Sequence, residues 1–172
     1  MVRWNSFEDR KIEALFCEVH EKRYGFEFEV KTRFADFFGG GSLHFSKCFE
    51  YFEMARFDIL ELFESYRAAR GRRDSMEKIY FVVVKADYEK MDNVGMCGNL
   101  RVQTQLIVEK IPYLGFRQSL TDMDGREIYA KTEMKIALVD QEMRRIERWK
   151  EELFFDMISF VKDMGRREDG SS

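Results

Sequence analysis

The chain has 172 residues, 45% of them hydrophobic and 35% charged, with a formal net charge of −3. That profile suits one globular domain with a sizeable core and excludes a disordered chain, and the slight negative charge excludes a molecule coated for nucleic acid. Cys17, Cys48 and Cys97 are widely spaced and odd in number, which argues against a disulfide framework and for a reducing, cytoplasmic setting. No run approaches the roughly 20 apolar residues that span a bilayer, and MVRWNSFEDRK lacks the apolar stretch of a signal peptide, so no membrane partner is expected.

In chain order, Phe7 to Tyr24 predicts a helix capped by Ser6, with Ile12, Leu15, Phe16 and Val19 as its apolar stripe and Gly25 as its stop. Phe26 to Phe34 alternates between an apolar phase (Phe26, Phe28, Val30, Phe34) and a charged one (Glu27, Glu29, Lys31, Arg33), as a strand with one wet side does. Gly39, Gly40 and Gly41 break the pattern. A long helix follows from about Phe45 to Arg70, with Phe49, Phe52, Ile59, Leu60 and Phe63 recurring at three- and four-residue steps and Gly71 ending it.

The second half predicts strands at Ile79 to Asp87, Leu100 to Val108, Tyr113 to Thr121 and Ile128 to Leu138. A hairpin turn is expected at Asp124-Gly125, and the single proline, Pro112, precedes the third of these strands. Arg145 to Lys162 predicts a closing helix, and GRREDGSS a frayed tail. The sum is an α+β domain, one long helix against a mostly antiparallel sheet. The boundaries expected are an N-terminal helical extension at 1–25, the main domain at 26–140, and a C-terminal helix with tail at 141–172.

The segment FADFFGGGSLHFSKCFEYFEMAR, Phe34 to Arg56, resembles the pattern Y-x-D-x-D-x-x-G-x-x-x-x-x-x-Y-x-x-x-x-E-x-A-R of hotdog-fold acyl-CoA thioesterases of the 4-hydroxybenzoyl-CoA thioesterase class. The strand run from Phe81 to Asp140 is similar too, with Gly98-Asn99-Leu100-Arg101-Val102 in place of that family's G-D-x-L-x-V step. The resemblance implies a hotdog fold with the sheet wrapped around the helix, a homodimer or homotetramer whose sheets join, and sites for an acyl-CoA or acyl-carrier-protein substrate at the subunit interface. Coenzyme A enters as part of the substrate, and no separate cofactor or metal is implied.

One departure stands out: Asp36 matches the first Asp of the D-x-D pair, but Phe38 occupies the place of the second, the family's catalytic one. A second hotdog pattern, G-x-x-H-G-G with an acid nine residues past the histidine, is half matched by Gly41-Ser42-Leu43-His44 and Glu53. Glu53 is therefore the first candidate for activating water, beside the apolar stripe where burial would raise its basicity. A structural ion pair with Arg56 is its bland alternative. Asp36 is the rival acid, or a plain turn aspartate.

His44 is expected to orient the thioester carbonyl, or to be a helix-terminal histidine with a backbone partner. The Gly40 and Gly41 amides are expected to hold the oxyanion, or merely to form a tight turn. Cys48, one helical turn past His44, reads better as core than as nucleophile. Phe37, Phe38 and Phe45 are candidates for an acyl pocket. Arg70, Arg72 and Arg73, with Arg67, are either a coenzyme A phosphate site or a solvated helix end. Two other functions remain open from sequence: a non-catalytic module that binds acyl thioesters, favoured by Phe38, and a hotdog dehydratase, disfavoured because HFSKCF lacks that branch's proline.

Overall fold

The computed structural model describes residues 25–38, 41–72, 79–90, 98–108, 113–140, 145–146 and 151–168. The helix expected at Phe7 to Tyr24 lies outside them. The first strand, β1 (Gly25–Lys31), places Phe26 on the buried side and Glu27 and Glu29 in solvent, as its alternation requires. It stops short of the expected Phe34. There the Asp36 amide donates to Arg33 O at 2.9 Å and closes a 3-10 turn over Phe34–Asp36, which leaves Phe34 81% exposed.

Helix α1 (Phe45–Ala69) buries Cys48, Tyr51, Phe52, Ala55, Ile59, Leu60, Phe63 and Arg67, a stripe at three- and four-residue spacing. It ends in a Schellman motif: Gly71 takes φ +73°, its amide donates to Ala68 O, and the Arg72 amide donates to Arg67 O.

The remaining strands are β2 (Ile79–Lys90), β3 (Asn99–Val108), β4 (Tyr113–Thr121) and β5 (Ile128–Asp140). All pair antiparallel in the order β1-β3-β4-β5-β2, so β1 and β2 are the edges. The β4–β5 turn falls where expected, with Gly125 at φ +71°. Its clasp is Asp122, whose Oδ1 accepts from the Arg126 and Glu127 amides.

The expected helix from Arg145 starts later. Arg145–Ile146 form a short strand, β6, against Asp140 and Val139. Among the described residues β4 pairs with β5 as far as Tyr113 opposite Ala137, and β6 pairs with β5 beyond that point, at Val139 and Asp140. Helix α2 (Glu151–Glu168) then runs into the stretch expected to fray.

One face of the sheet carries the core. Leu106, Leu114, Phe116, Met134 and Ile136 pack with Ile59 and Phe63 of α1 and with Met157, Phe160 and Val161 of α2. Leu100, Val102, Leu120 and Ala130 pack with Phe52, Ala55 and the start of α1. Between these clusters runs a row of directly opposed residues, Phe26, Thr104, Gln118, Thr132 and Tyr88, one from each strand. Its three central members are polar and buried.

α2 is held to α1 by charge as well as by apolar contact. Arg67 Nε lies 3.0 Å from Asp156 Oδ2 with both side chains buried, and Arg72 lies 3.3 Å from Asp156 Oδ1. Arg70 and the Tyr66 hydroxyl both reach Asp163 at the surface. Burial and the Asp163 carboxylate push the Tyr66 hydroxyl up to about 12. Removing one partner of a buried pair strands the other charge, so Asp156→Asn is expected to cost about 3 kcal/mol. Asp163→Asn, at a half-exposed site, is expected to cost about 1 kcal/mol or less. Urea unfolding of the two variants checks the difference, and equal losses would contradict it.

Candidate active site

The turn ahead of α1 is built around one acid. Asp36 is 5% exposed. Its Oδ2 accepts from the Tyr51 hydroxyl at 2.7 Å and the Arg33 amide at 2.6 Å, and Lys47 Nζ stands 3.7 Å from Oδ1. Burial alone would raise its pKa, but the two hydrogen bonds and the Lys47 and Arg33 charges outweigh burial and hold it below the ordinary value. Asp36 is thus committed to fastening the 3-10 turn to α1.

From that anchor the chain folds back: the His44 amide donates to Asp36 O, Phe38 donates to Ser42 O, and Phe37 bridges Leu43. Gly41 supplies the left-handed residue, φ +87°, and its amide donates to Phe38 O at 3.0 Å. The Gly41 N–H is therefore spent inside the turn, while Gly40 and Gly39 lie outside the described residues. Lys90, at the end of β2, closes the turn from the other side with bonds to Ser42 Oγ at 3.0 Å and Leu43 O at 3.2 Å.

At the start of α1 the Phe45 and Ser46 amides have no helical acceptor, as first-turn amides do not. His44 is the N-cap residue, half-buried, with its ring against that of Phe38. Phe38 is 52% exposed. It covers the histidine from the place where the resembling pattern has its second aspartate. Phe37 instead packs against the core. Phe45 joins Phe49 and Tyr88 in an aromatic cluster, with ring centroids 4.3 to 4.8 Å apart. Burial pushes the Cys48 thiol up, which fits a core side chain better than an activated nucleophile.

Glu53 stands elsewhere than expected: it is exposed, and the chain's own fold does not bury it. It lies one turn after Phe49 and one turn before Phe57, so the three form a row along α1. Because Phe49 stacks on Tyr88, that row faces β2. The helix does not reach under the whole of that strand. Val83 and Ala86 share the helix-facing side with Tyr88, being opposite Ile136, Met134 and Thr132, yet they remain exposed. Phe57 is 58% and Val83 53% exposed, so the helix row that holds Glu53 and the uncovered part of β2 both present apolar side chains outside the core.

Glu53 and Arg56 do not come within ion-pair distance, although the Glu53 charge still supports that of Arg56 against the effect of burial. Arg56 turns inward, its Nη1 donating to Gln118 Oε1 at 2.6 Å, and Glu53 has neither a hydrogen-bond nor an ion-pair partner among the described residues. Gln118 in turn donates to Phe52 O at 2.9 Å and Thr104 Oγ1 at 3.0 Å.

The structure does not bring all the predicted residues together. Arg70 and Arg72 are tied to Asp163 and Asp156 of α2 at the far end of α1, about 40 Å along the helix from His44. Arg73 lies outside the described residues. A separate groove of about 780 Å³ lies on the opposite face of the sheet, lined by Glu27, Gln103, Arg117, Lys131 and Glu133 among others. Arg117 and Glu133 neutralise each other there, as on a solvated strand face. Sequence reading missed Gln118, Lys90 and Tyr88. Gln118 left a signal: it is the polar member of the apolar phase Leu114, Phe116, Leu120.

No protein-family model and no curated protein matches the chain. Solved structures do. The probable thioesterase YbaW of Escherichia coli is 18% identical, covers 78% of this chain and 98% of its own, and superposes with a TM-score of 0.64. The DHNA-CoA thioesterase of Staphylococcus aureus is 13% identical, with 86% and 95% covered and a TM-score of 0.63. A hypothetical protein of Staphylococcus aureus solved in complex with CoA is 11% identical, with 81% and 85% covered and a TM-score of 0.61. Likeness of this degree establishes a shared fold, an antiparallel sheet with a helix packed on it, in agreement with the hotdog architecture.

Asp36 offers a test of how the turn is held. Its depressed pKa means that its stabilisation is fully present above the unfolded value, near pH 4, and is lost as pH falls through the lower folded value. The stability difference between the wild type and Asp36→Asn is expected to be constant above about pH 5 and to shrink below about pH 4. Tyr51→Phe is expected to cost about 2 kcal/mol at neutral pH. Chemical denaturation across pH checks both.

Proposed function

We propose that this chain hydrolyses acyl thioesters, carried on coenzyme A or a carrier protein, as a cytoplasmic homo-oligomer of the 4-hydroxybenzoyl-CoA thioesterase-like kind. The observation that carries the reading is Glu53, an exposed acid with no hydrogen-bond or ion-pair contact among the described residues, set between Phe49 and Phe57 in a helix row that faces β2. Such a surface is what a second copy of the chain covers, and covering it would desolvate the carboxylate and suit it to general-base work. The shared fold with solved thioesterases and the turn-helix pattern of residues 34–56 support the same reading.

In the proposed reaction a water oxygen attacks the acyl carbon while the Glu53 carboxylate takes a water proton. The tetrahedral intermediate collapses, the C–S bond breaks, and the departing thiolate takes that proton back, giving a free acid and a free thiol. The Phe45 and Ser46 amides and His44 are the donors at the start of α1, about 12 Å along the helix from Glu53. A single acyl carbon cannot touch both, so the second copy supplies one set, which is why the proposed site spans two chains. Asp36 is left to its structural role.

A second reading, binding without turnover, has Phe38 in its favour: it fills the aspartate position and lies over His44. A panel of coenzyme A thioesters from acetyl to long-chain and aryl, assayed with a thiol reagent, separates the two. Turnover on at least one member is expected, with Glu53→Gln lowering kcat about 100-fold or more. Calorimetric binding with no thiol released from any member would sink the hydrolytic reading in favour of the binding module.

A further inference from the structure

The turn ahead of α1 is held from two sides. On the β1 side the fastening is local: the His44 amide donates to Asp36 O, the Phe38 amide donates to Ser42 O, and Asp36 is bound in turn by Tyr51. On the β2 side it is long-range. Lys90, the last residue of β2, donates to Ser42 Oγ at 3.0 Å and Leu43 O at 3.2 Å, across 48 and 47 residues of sequence. Leu43 immediately precedes the N-cap His44, so the Lys90 ammonium grips the chain just before the helix starts.

The turn closes without that grip. The Phe37–Leu43 bridge, the backbone hydrogen bonds and the left-handed Gly41, φ +87°, already shape it, and Leu43 is fully buried. Lys90 by contrast is exposed, where ordering a long side chain costs entropy and the contact adds little stability. A clamp on a turn that is already closed fixes its direction instead. Tyr88, on the same face of β2 as Lys90, packs its ring 4.3 Å from that of Phe45. One such contact fixes a distance, and the two together fix the angle at which the first turn of α1 meets β2. The Lys90 charge is felt there as well: burial raises the Cys48 thiol, and Lys90 works against that rise.

We propose that Lys90 is a positioning residue of the thioester site, holding the Phe45 and Ser46 amides and the His44 ring in line with the acyl carbonyl. This role rests on the hydrolytic reading above and deepens it, by bringing β2 into the donor end of the site. Lys90 exchanges no proton and touches no substrate. It acts through Ser42 and Leu43 on donors whose misplacement by about 1 Å costs on the order of 100-fold in rate.

The test uses the full chain and the best substrate of the thioester panel. Lys90→Met keeps the apolar stem and removes the donor. It is expected to lower kcat at least about tenfold with KM within about threefold of wild type, the pattern of donors set wrongly for the transition state. Its melting temperature is expected to stay within about 4 °C of wild type, as befits an exposed contact. Lys90→Arg, whose guanidinium can donate to both oxygens, is expected to recover kcat to within about threefold of wild type.

A kcat in Lys90→Met within about threefold of wild type would overturn the role of Lys90 while leaving hydrolysis intact. A larger fall in melting temperature would make Lys90 a residue of the fold, and a rise in KM that accounts for the whole loss would make it a residue of substrate binding. Either result overturns the positioning role, as does Lys90→Arg with no more activity than Lys90→Met. If no member of the panel is turned over by the wild type, the hydrolytic reading fails and the role of Lys90 falls with it.

Discussion

A single amide fixes how the helix meets the sheet. Gln118 projects from β4 at mid-core, donates to the Phe52 carbonyl of α1 and to Thr104 of β3, and accepts from Arg56. The apolar clusters on either side of it are non-directional and would tolerate a range of helix rotations. Three hydrogen bonds from one buried side chain tolerate far fewer, because every rotation that breaks one leaves a buried polar group unpaired. The direction in which the Phe49–Glu53–Phe57 row points is therefore set from inside, by a residue whose hydrogen bonds go to Phe52, Thr104 and Arg56 instead.

The turn before α1 shows a second division of labour. A buried carboxylate hydrogen-bonded to Tyr51 and to the Arg33 backbone is a fastener, and its proton affinity is tuned for staying charged rather than for exchanging protons. The neighbouring position has no acid at all, only an aromatic ring laid over His44. Under the proposed reading the working acid has moved from the turn to the middle of the helix. The distance between Glu53 and the amides at the start of α1 then makes assembly a condition of catalysis rather than an accessory to it.

Much of the architecture was legible in the residues. The strand phases of 100–108 and 113–121, the span of α1 and the stop at Gly71 all followed from periodicity and turn chemistry. They did so because each element has one apolar and one wet face. What escaped were features decided by partners distant in sequence. The 3-10 turn won over an extended Phe34 because of the Asp36–Tyr51 bond. β6 pairs with β5 beyond the last described β4 partner.

At the candidate site, the pattern pointed to the turn and to Glu53, but helical spacing alone could not say that Glu53 would lie outside the edge of the buried stripe. Nor could it say that Arg56 would choose Gln118 over its neighbour in the helix. The arginines at the end of α1 read as free cations until the acids of α2, some ninety residues later, were brought against them.

That last pairing bears on how the protein is made. Met157, Phe160 and Val161 complete the cluster around Phe63 and Phe116, and Asp156 neutralises a buried arginine of the first helix. Until α2 packs, the first helix carries an unfinished core and a stranded cation. Completion depends on a loop closure that brings Asp156 back to Arg67 across roughly half the sequence, a non-local contact whose entropy cost makes the docking of α2 a late step of folding.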